Sequence, residues 1–286
     1  MQQVRSYYDR NTARFLRWGK DEGTCNLHAA LWSPGVTSLD EAMHYSNELV
    51  ARAIERCPYP VNRVIDLGCG VGGSLFYLGR RLPRVKLFTG VSLSPVQVER
   101  ARRLIPEDLK GRVHFAEGSF LTLRGKRFKA DVSYAIEAFT HGPDPERFFD
   151  VQASLLPPGG RLAIIDDCLV DAADPAALPA RQRRLLDRYR RYWLLPGLQA
   201  VSDLTRLAEE KGFRLIDNQD LTPYLHLGRP RDKAIALLVK CLGTCMERDT
   251  YLRSLSGGDA KQKCYLAGLI QYRMLHFENR AAHTQP

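Results

Sequence analysis

Val64-Ile65-Asp66-Leu67-Gly68-Cys69-Gly70-Val71-Gly72-Gly73 begins as a short apolar strand and breaks into glycines. The spacing Gly68-x-Gly70-x-x-Gly73 removes side chains where a backbone turns sharply and approaches a ligand closely. A helical run follows, with Leu75, Leu78 and Leu82 on one face. Strand, glycine turn and helix N-terminus in that order predict a nucleotide-binding corner, because the first helical N–H groups have no partner of their own. As a bare pattern, the loop leaves the nucleotide undecided.

The same rhythm continues outward from that corner. Val85-Lys86-Leu87-Phe88, Val113-His114-Phe115, Ala130-Asp131-Val132-Ser133-Tyr134-Ala135-Ile136 and Arg161-Leu162-Ala163-Ile164-Ile165 read as strands. Pro95 can open a helix carrying Val98, Ala101 and Ile105, and Pro145 one carrying Phe148, Val151 and Leu155. Pro157-Pro158-Gly159-Gly160 is a turn. Ser202 is the expected cap of a helix through Leu204, Leu207 and Ala208, which Gly212 stops. Phe213 to Leu221 and Gln271-Tyr272-Arg273-Met274-Leu275-His276-Phe277 complete the expected strands. This alternation predicts an α/β fold: a doubly wound, mostly parallel, seven-stranded Rossmann-like sheet with its functional edge at the carboxyl ends of the strands. Residues 1–61 carry helical patterning (Tyr7, Tyr8, Phe15 and Leu16, then Leu49, Val50 and Ile54) and are expected to form an N-terminal helical lid. Residues 62–286 hold the sheet, with helical cap insertions expected at about 167–201 and 222–269.

A chain of 286 residues with 44% hydrophobic and 26% charged content suits one large globular domain. No apolar run approaches the roughly 18 residues that a membrane span needs. Met1-Gln2-Gln3-Val4-Arg5-Ser6-Tyr7-Tyr8-Asp9 lacks the apolar core of a signal peptide, so a cytoplasmic setting with reduced thiols is expected. The seven cysteines show no CxxC pair and no histidine at zinc spacing, so no metal site is expected. Cys241 and Cys245, one helical turn apart, read as packing residues. The net charge of +10 permits an anionic partner without demanding one. Its densest feature is Arg181-Gln182-Arg183-Arg184-Leu185-Leu186-Asp187-Arg188-Tyr189-Arg190-Arg191-Tyr192-Trp193. Leu185, Leu186, Tyr189 and Trp193 form an apolar stripe there, so the segment reads as an amphipathic cap helix with solvated arginines; a diphosphate or an anionic membrane is the sharper alternative.

Two details decide the nucleotide. Asp66, just ahead of Gly68, would repel a pyrophosphate but suits a cationic amino acid group such as that of S-adenosyl-L-methionine. A dinucleotide fold also wants an acid at the end of the next strand, about 20 residues on. Here that strand runs into Gly90-Val91-Ser92-Leu93-Ser94-Pro95-Val96-Gln97, which offers none. The segments resemble the class I methyltransferases, and more narrowly the sterol C-24 and γ-tocopherol methyltransferases and the cyclopropane-fatty-acid synthases. Val64 to Gly70 resembles their first motif and Gly90 to Gln97 their second, where hydroxyl side chains replace the ribose-binding acid. Tyr134-Ala135-Ile136-Glu137-Ala138-Phe139-Thr140-His141-Gly142-Pro143-Asp144 is similar to the sterol-enzyme segment after strand four, and Leu155 to Gly160 to the next motif. The resemblance covers about residues 60–166 and extends weakly to Tyr7-Tyr8-Asp9; the stretch 167–269 resembles nothing comparable. It implies S-adenosyl-L-methionine as cofactor, contacted by Tyr8, Asp66, Gly68, Gly70, Ser92, Leu93, Gln97, Ser119, Phe120 and Ile136. The chain departs from the pattern after strand three, where Ser119 stands at the position of an adenine-binding acid. Ser119, a backbone group or a displaced Glu117 is expected to serve, with Phe120 stacking on the ring.

Methyl transfer from a sulfonium needs a close acceptor, exclusion of water and, for a protic or cationic product, a base. Glu137 is expected to steady the cofactor or a developing positive charge, and His141, four residues on, to act as general base. Tyr7 and Tyr8 are expected to help close the lid. Asp166 and Asp167, at a strand end, either bind substrate or cap backbone. The residues after strand four are not those of a nucleic-acid methyltransferase: Asn/Asp-Pro-Pro-Tyr and Pro-Cys are both absent. The expected acceptor is therefore a small, lipophilic or natural-product molecule, methylated at an isoprenoid-type double bond, with O- or N-methylation of a secondary metabolite as the alternative. A nicotinamide oxidoreductase and a non-catalytic adenosylmethionine-fold partner are the remaining rivals, and a homo-oligomer is compatible with the sequence.

Overall fold

The computed structural model describes residues 1–18, 24–124, 128–171, 177–243 and 250–280. Its elements are α1 (Gln2–Trp18), α2 (Leu39–Glu55), β1 (Arg63–Leu67), α3 (Gly73–Arg81), β2 (Leu87–Ser92), α4 (Pro95–Arg103), β3 (Val113–Glu117), β4 (Val132–Ile136), α5 (Pro145–Leu155), β5 (Arg161–Leu169), α6 (Ala180–Trp193), α7 (Val201–Glu210), β6 (Phe213–Asp220), α8 (Pro230–Leu242), α9 (Thr250–Leu266) and β7 (Ile270–Asn279). Phe15 and Leu16 lie in α1, but their side chains, like Cys245, fall outside what is described. Among the described residues no helix is long and apolar enough to cross a membrane.

The strands order as β3-β2-β1-β4-β5-β7-β6, parallel from β3 through β5, with β7 antiparallel to both of its neighbours. The doubly wound seven-stranded expectation holds. Order reverses between β1 and β4, so the crevice at their carboxyl ends is where such sheets take ligands. Val64 belongs to a core layer with Leu49, Val50 and Ile54 of α2 and Leu75 and Leu78 of α3. Ile65 and Leu67 belong to the other layer, with Phe148 and Phe149 of α5 and Leu204 of α7. Alternation along β1 thus feeds one core on each side of the sheet.

The N-terminal 61 residues divide between two places. α2, capped by Ser38 and Glu41 in a reciprocal box, packs on α3, β4 and β5 as part of the sandwich. α1 instead lies across α4 and reaches α9 at the functional edge. The cap consists of α6 packed on α9, with α8 against α9. Three local expectations need correction. β5 continues to Leu169, because β7 pairs with it along its whole length, so Asp166 and Asp167 lie inside a strand. Ser202 does not cap α7: the helix starts at Val201, and the Ser202 amide and hydroxyl both donate to Asp171. Cys241 is exposed rather than packed.

Candidate active site

Gly68, Gly70 and Gly72 all have positive φ (102°, 53° and 96°), the left-handed region that side chains disfavour. A Cβ on Gly68 would stand 2.4 Å from the Ala138 Cβ, so the loop after β4 closes directly on the glycine turn. The Gly68 and Cys69 amides donate to the Val91 carbonyl and tie the turn to the end of β2. Asp66, buried beneath the turn, accepts from the Tyr134 hydroxyl at 2.9 Å. Burial pushes its carboxyl up to about 7, against the pull of that hydrogen bond.

These groups line a cavity with about 1080 Å³ of space between protein atoms, part of it open to solvent. Tyr8, Asp66, Gly68, Gly70, Ser92, Leu93, Gln97, Phe120, Ile136, Glu137 and His141 all line it. Ser119 does not. Its hydroxyl accepts from the Leu121 amide at 3.2 Å and so caps a turn, while Gly118 and Phe120 on either side face the cavity. Glu117 does not line the cavity and pairs with Arg5 at 3.1 Å.

Helix α1 closes over the second motif. Ser94 donates to Asp9, Gln97 Nε2 donates to Thr12 at 3.1 Å, and Ser92 donates to Gln97 Oε1 at 2.7 Å. Tyr8 reaches His141 Nε2 at 2.8 Å. The other ring nitrogen, Nδ1, lies 3.0 Å from the Leu194 carbonyl, which can only accept, so Nδ1 carries the proton. Burial holds the imidazole below its ordinary value; the neutral ring therefore presents Nε2 as a lone pair, and the Tyr8 hydroxyl sits on it. Asp166 accepts from the amide and hydroxyl of Thr140, which fixes the turn that carries His141.

The family described as a methyltransferase domain matches residues 3–218. The chain belongs to the class I S-adenosyl-L-methionine-dependent methyltransferases. It is 28% identical over 221 residues to cycloartenol-C-24-methyltransferase 1 of Oryza sativa subsp. japonica, covering 76% of this chain and 60% of that one. It is 28% identical over 162 residues to a tocopherol O-methyltransferase of Arabidopsis thaliana, covering 56% of this chain and 46% of that one. The chain thus spans about half to 60% of these relatives. It is 31% identical over 199 residues to 27-O-demethylrifamycin SV methyltransferase of Amycolatopsis mediterranei, covering 65% of this chain and 69% of that one. Among solved structures, a putative sarcosine dimethylglycine methyltransferase from Galdieria sulphuraria superposes with a TM-score of 0.72 at 21% identity, covering 94% of this chain and 98% of that one. That likeness shows the fold. The methyltransferase cavity also fits the cofactor: among the described residues the buried Asp66 has a hydroxyl partner but no cation, and the glycine turn leaves no room for side chains.

In the wall opposite the glycines, Glu137 and Asp167 were expected near the site, whereas Lys261, Tyr265 and Tyr272 were not legible in the sequence. Glu137, at a strained φ of 47°, accepts from the Ala29 amide at 2.7 Å and the Tyr272 hydroxyl at 2.9 Å. Burial would raise its carboxyl, but Lys261 and these donors hold it below the usual range. Lys261 Nζ lies 3.0 Å from Asp167 and 4.0 Å from Glu137, with the rings of Trp193, Tyr265 and Tyr272 at 5.4, 5.9 and 5.8 Å. Asp167 also accepts from the hydroxyls of Tyr189 and Tyr265. Burial alone would depress the Lys261 ammonium; Asp167 and Glu137 reverse that and keep it protonated. A second, larger chamber with about 1690 Å³ of space between protein atoms, part of it open to solvent, adjoins the first. Tyr8, His28, Glu137, Trp193 and Lys261 line both, and His28 Nε2 has no partner among the described residues.

Proposed function

We propose that the protein transfers a methyl group to a lipophilic small molecule, at a carbon of an isoprenoid-type double bond. The observation that carries this reading is the neck between the chambers: ionised Glu137 stands there with aromatic Tyr8 and Trp193, and the larger chamber beyond carries an apolar group of Leu39, Met43, Leu225, Leu227, Ile235 and Leu255 beside the charged Arg229, Arg231, Asp232 and Asp259. The relatives named for sterol and tocopherol methylation support a lipophilic acceptor.

S-adenosyl-L-methionine supplies an electrophilic methyl group and a neutral thioether leaving group. Asp66 and the Gly68–Gly70 turn would hold its amino acid end, with Ser92, Leu93 and Gln97 at the ribose and Phe120 at the adenine. Glu137 favours positive charge developing on the acceptor carbon, since Glu137, Asp167 and Lys261 together carry one net negative charge. Tyr8 stands between the acceptor chamber and His141. The acceptor therefore gives its proton to the Tyr8 oxygen while Tyr8 gives its own to His141 Nε2, and the new imidazolium keeps its Leu194 bond. His141 thus acts through Tyr8. The same pair also suits a hydroxyl acceptor, which makes O-methylation the second reading.

The test offers isoprenoid alkenes and matched phenols with methyl-labelled cofactor and locates the label by NMR. Label on carbon supports the first reading, and label on oxygen with the alkene intact supports the second. Cofactor binding without transfer to either class overturns both. In the active pairing, His141→Ala is expected to lower kcat by about 100-fold or more, and Tyr8→Phe by a comparable factor.

A further inference from the structure

We propose that α8 docks on an anionic lipid surface and places the mouth of the acceptor chamber against it. Among the described residues eight large hydrophobic side chains are exposed, and three of them are on this helix: Leu237 at 62%, Leu238 at 39% and Leu242 at 38%. With Ala234 and Cys241 they recur at i, i+3, i+4, i+7 and i+8, a single outward stripe. The opposite side is already used: Val239 is buried, and α8 packs on α9. The helix has 13 residues, about 20 Å, which suits lying on a bilayer and not crossing it.

Charge selects the occupant. Arg229, Arg231, Lys233 and Lys240 surround the stripe, while the single acid, Asp232, is held by Arg229 at 3.1 Å. At helical spacing Lys233 and Lys240 lie to one side of the stripe, where stems can lie along an apolar surface with heads reaching phosphates, and Arg231 stands at its N-terminal end in line with Leu238 and Leu242. With Asp232 offsetting one of the four cations, a second copy of the chain would bring a net three positive charges against three, so the face favours an anionic surface over itself. The arginine-rich α6, the more conspicuous basic segment, is a poorer surface, because Leu186 and Tyr189 are buried and the helix packs on α9.

Ile235 of α8, with Arg229, Arg231 and the preceding Leu225 and Leu227, also lines the larger chamber. A lipophile would then pass from bilayer to chamber without crossing water. That delivery rests on the lipophilic-acceptor reading; the docking itself does not.

The experiment measures cosedimentation of the full chain with vesicles of phosphatidylcholine containing one part in about three of phosphatidylglycerol, and with phosphatidylcholine alone, in the absence of any acceptor. Wild type is expected on the anionic vesicles, released by salt. The pair Leu237→Ser and Leu238→Ser, which changes no charge, is expected to weaken binding about tenfold or more. Both proteins should show the same rise in Tm with adenosylhomocysteine, which certifies the fold. No binding by wild type, or equal binding by the serine pair, overturns the proposal. So does a wild-type dimer that the serine pair converts to monomer without any vesicle binding. Vesicle binding without methylation of any lipophile would sink the proposed function and leave the docking intact.

Discussion

The two walls of the cavity are built in opposite ways. The glycine wall is local: Asp66 to Gly73 turn within one stretch, and backbone conformation shapes them. The facing wall gathers Glu137 from the end of β4, Asp167 from β5, Tyr189 and Trp193 from α6, Lys261 and Tyr265 from α9 and Tyr272 from β7. The first wall fails when a side chain is added, the second when a charge loses its partner.

The largest expected effect follows from that difference. Lys261→Met leaves Asp167 and Glu137 buried without their cation, and removing one partner of a buried pair costs about 3–5 kcal/mol. Chemical denaturation should show that loss, and adding Asp167→Asn should restore part of it, since the two sites share one interaction. A loss under about 1 kcal/mol would mean that the facing wall is held by packing alone.

On the glycine wall the expected effect is a pH dependence. Asp66 has its carboxyl raised from 3.8 to about 7, so the empty protein holds a proton there that a cationic ligand displaces. Affinity for adenosylhomocysteine should therefore rise with pH up to about 7 and then level; below it, each unit costs up to about tenfold. The stability sign is the reverse. A raised carboxyl contributes stability that is fully present below the unfolded value and lost as pH rises through the folded one. The empty protein weakens over the same range in which it gains affinity. Calorimetric titration from pH 6 to 8 checks this, and Asp66→Asn should flatten the curve; a flat wild-type curve would remove Asp66 from the ligand's contacts.

The contrast also explains what could be read in advance. The glycine turn and the places of Glu137 and His141 at the cavity were legible because each depends on spacing within one βα unit. Lys261 was not: a lysine on a helical cap carries no local sign that Asp167 and Glu137 will meet it. Tyr8 was legible as a residue of the N-terminal helix, but its seat on His141 Nε2 depends on α1 folding back across the sheet edge. Ser119 was misplaced because the turn after β3 uses its hydroxyl for the Leu121 amide. Strand β5 ran past its expected end because β7, far along the chain, supplies the pairing.

The smallest expected effect concerns how the lid joins the two walls. α1 is anchored by an exposed ion pair, Arg5 to Glu117, whose side chains are 45% and 47% exposed, and by buried bonds including Thr12 to Gln97. Solvent screens the first, so Glu117→Gln should cost less than about 1 kcal/mol and barely change cofactor release. Thr12→Val leaves the buried Gln97 amide without its acceptor, at about 1–3 kcal/mol, and should speed release of adenosylhomocysteine about tenfold. Stopped-flow release rates compare the two. If Glu117→Gln proved the more disruptive, and salt reproduced its effect, the lid would be held by surface charge and the buried bonds would be consequences of closure, not its cause.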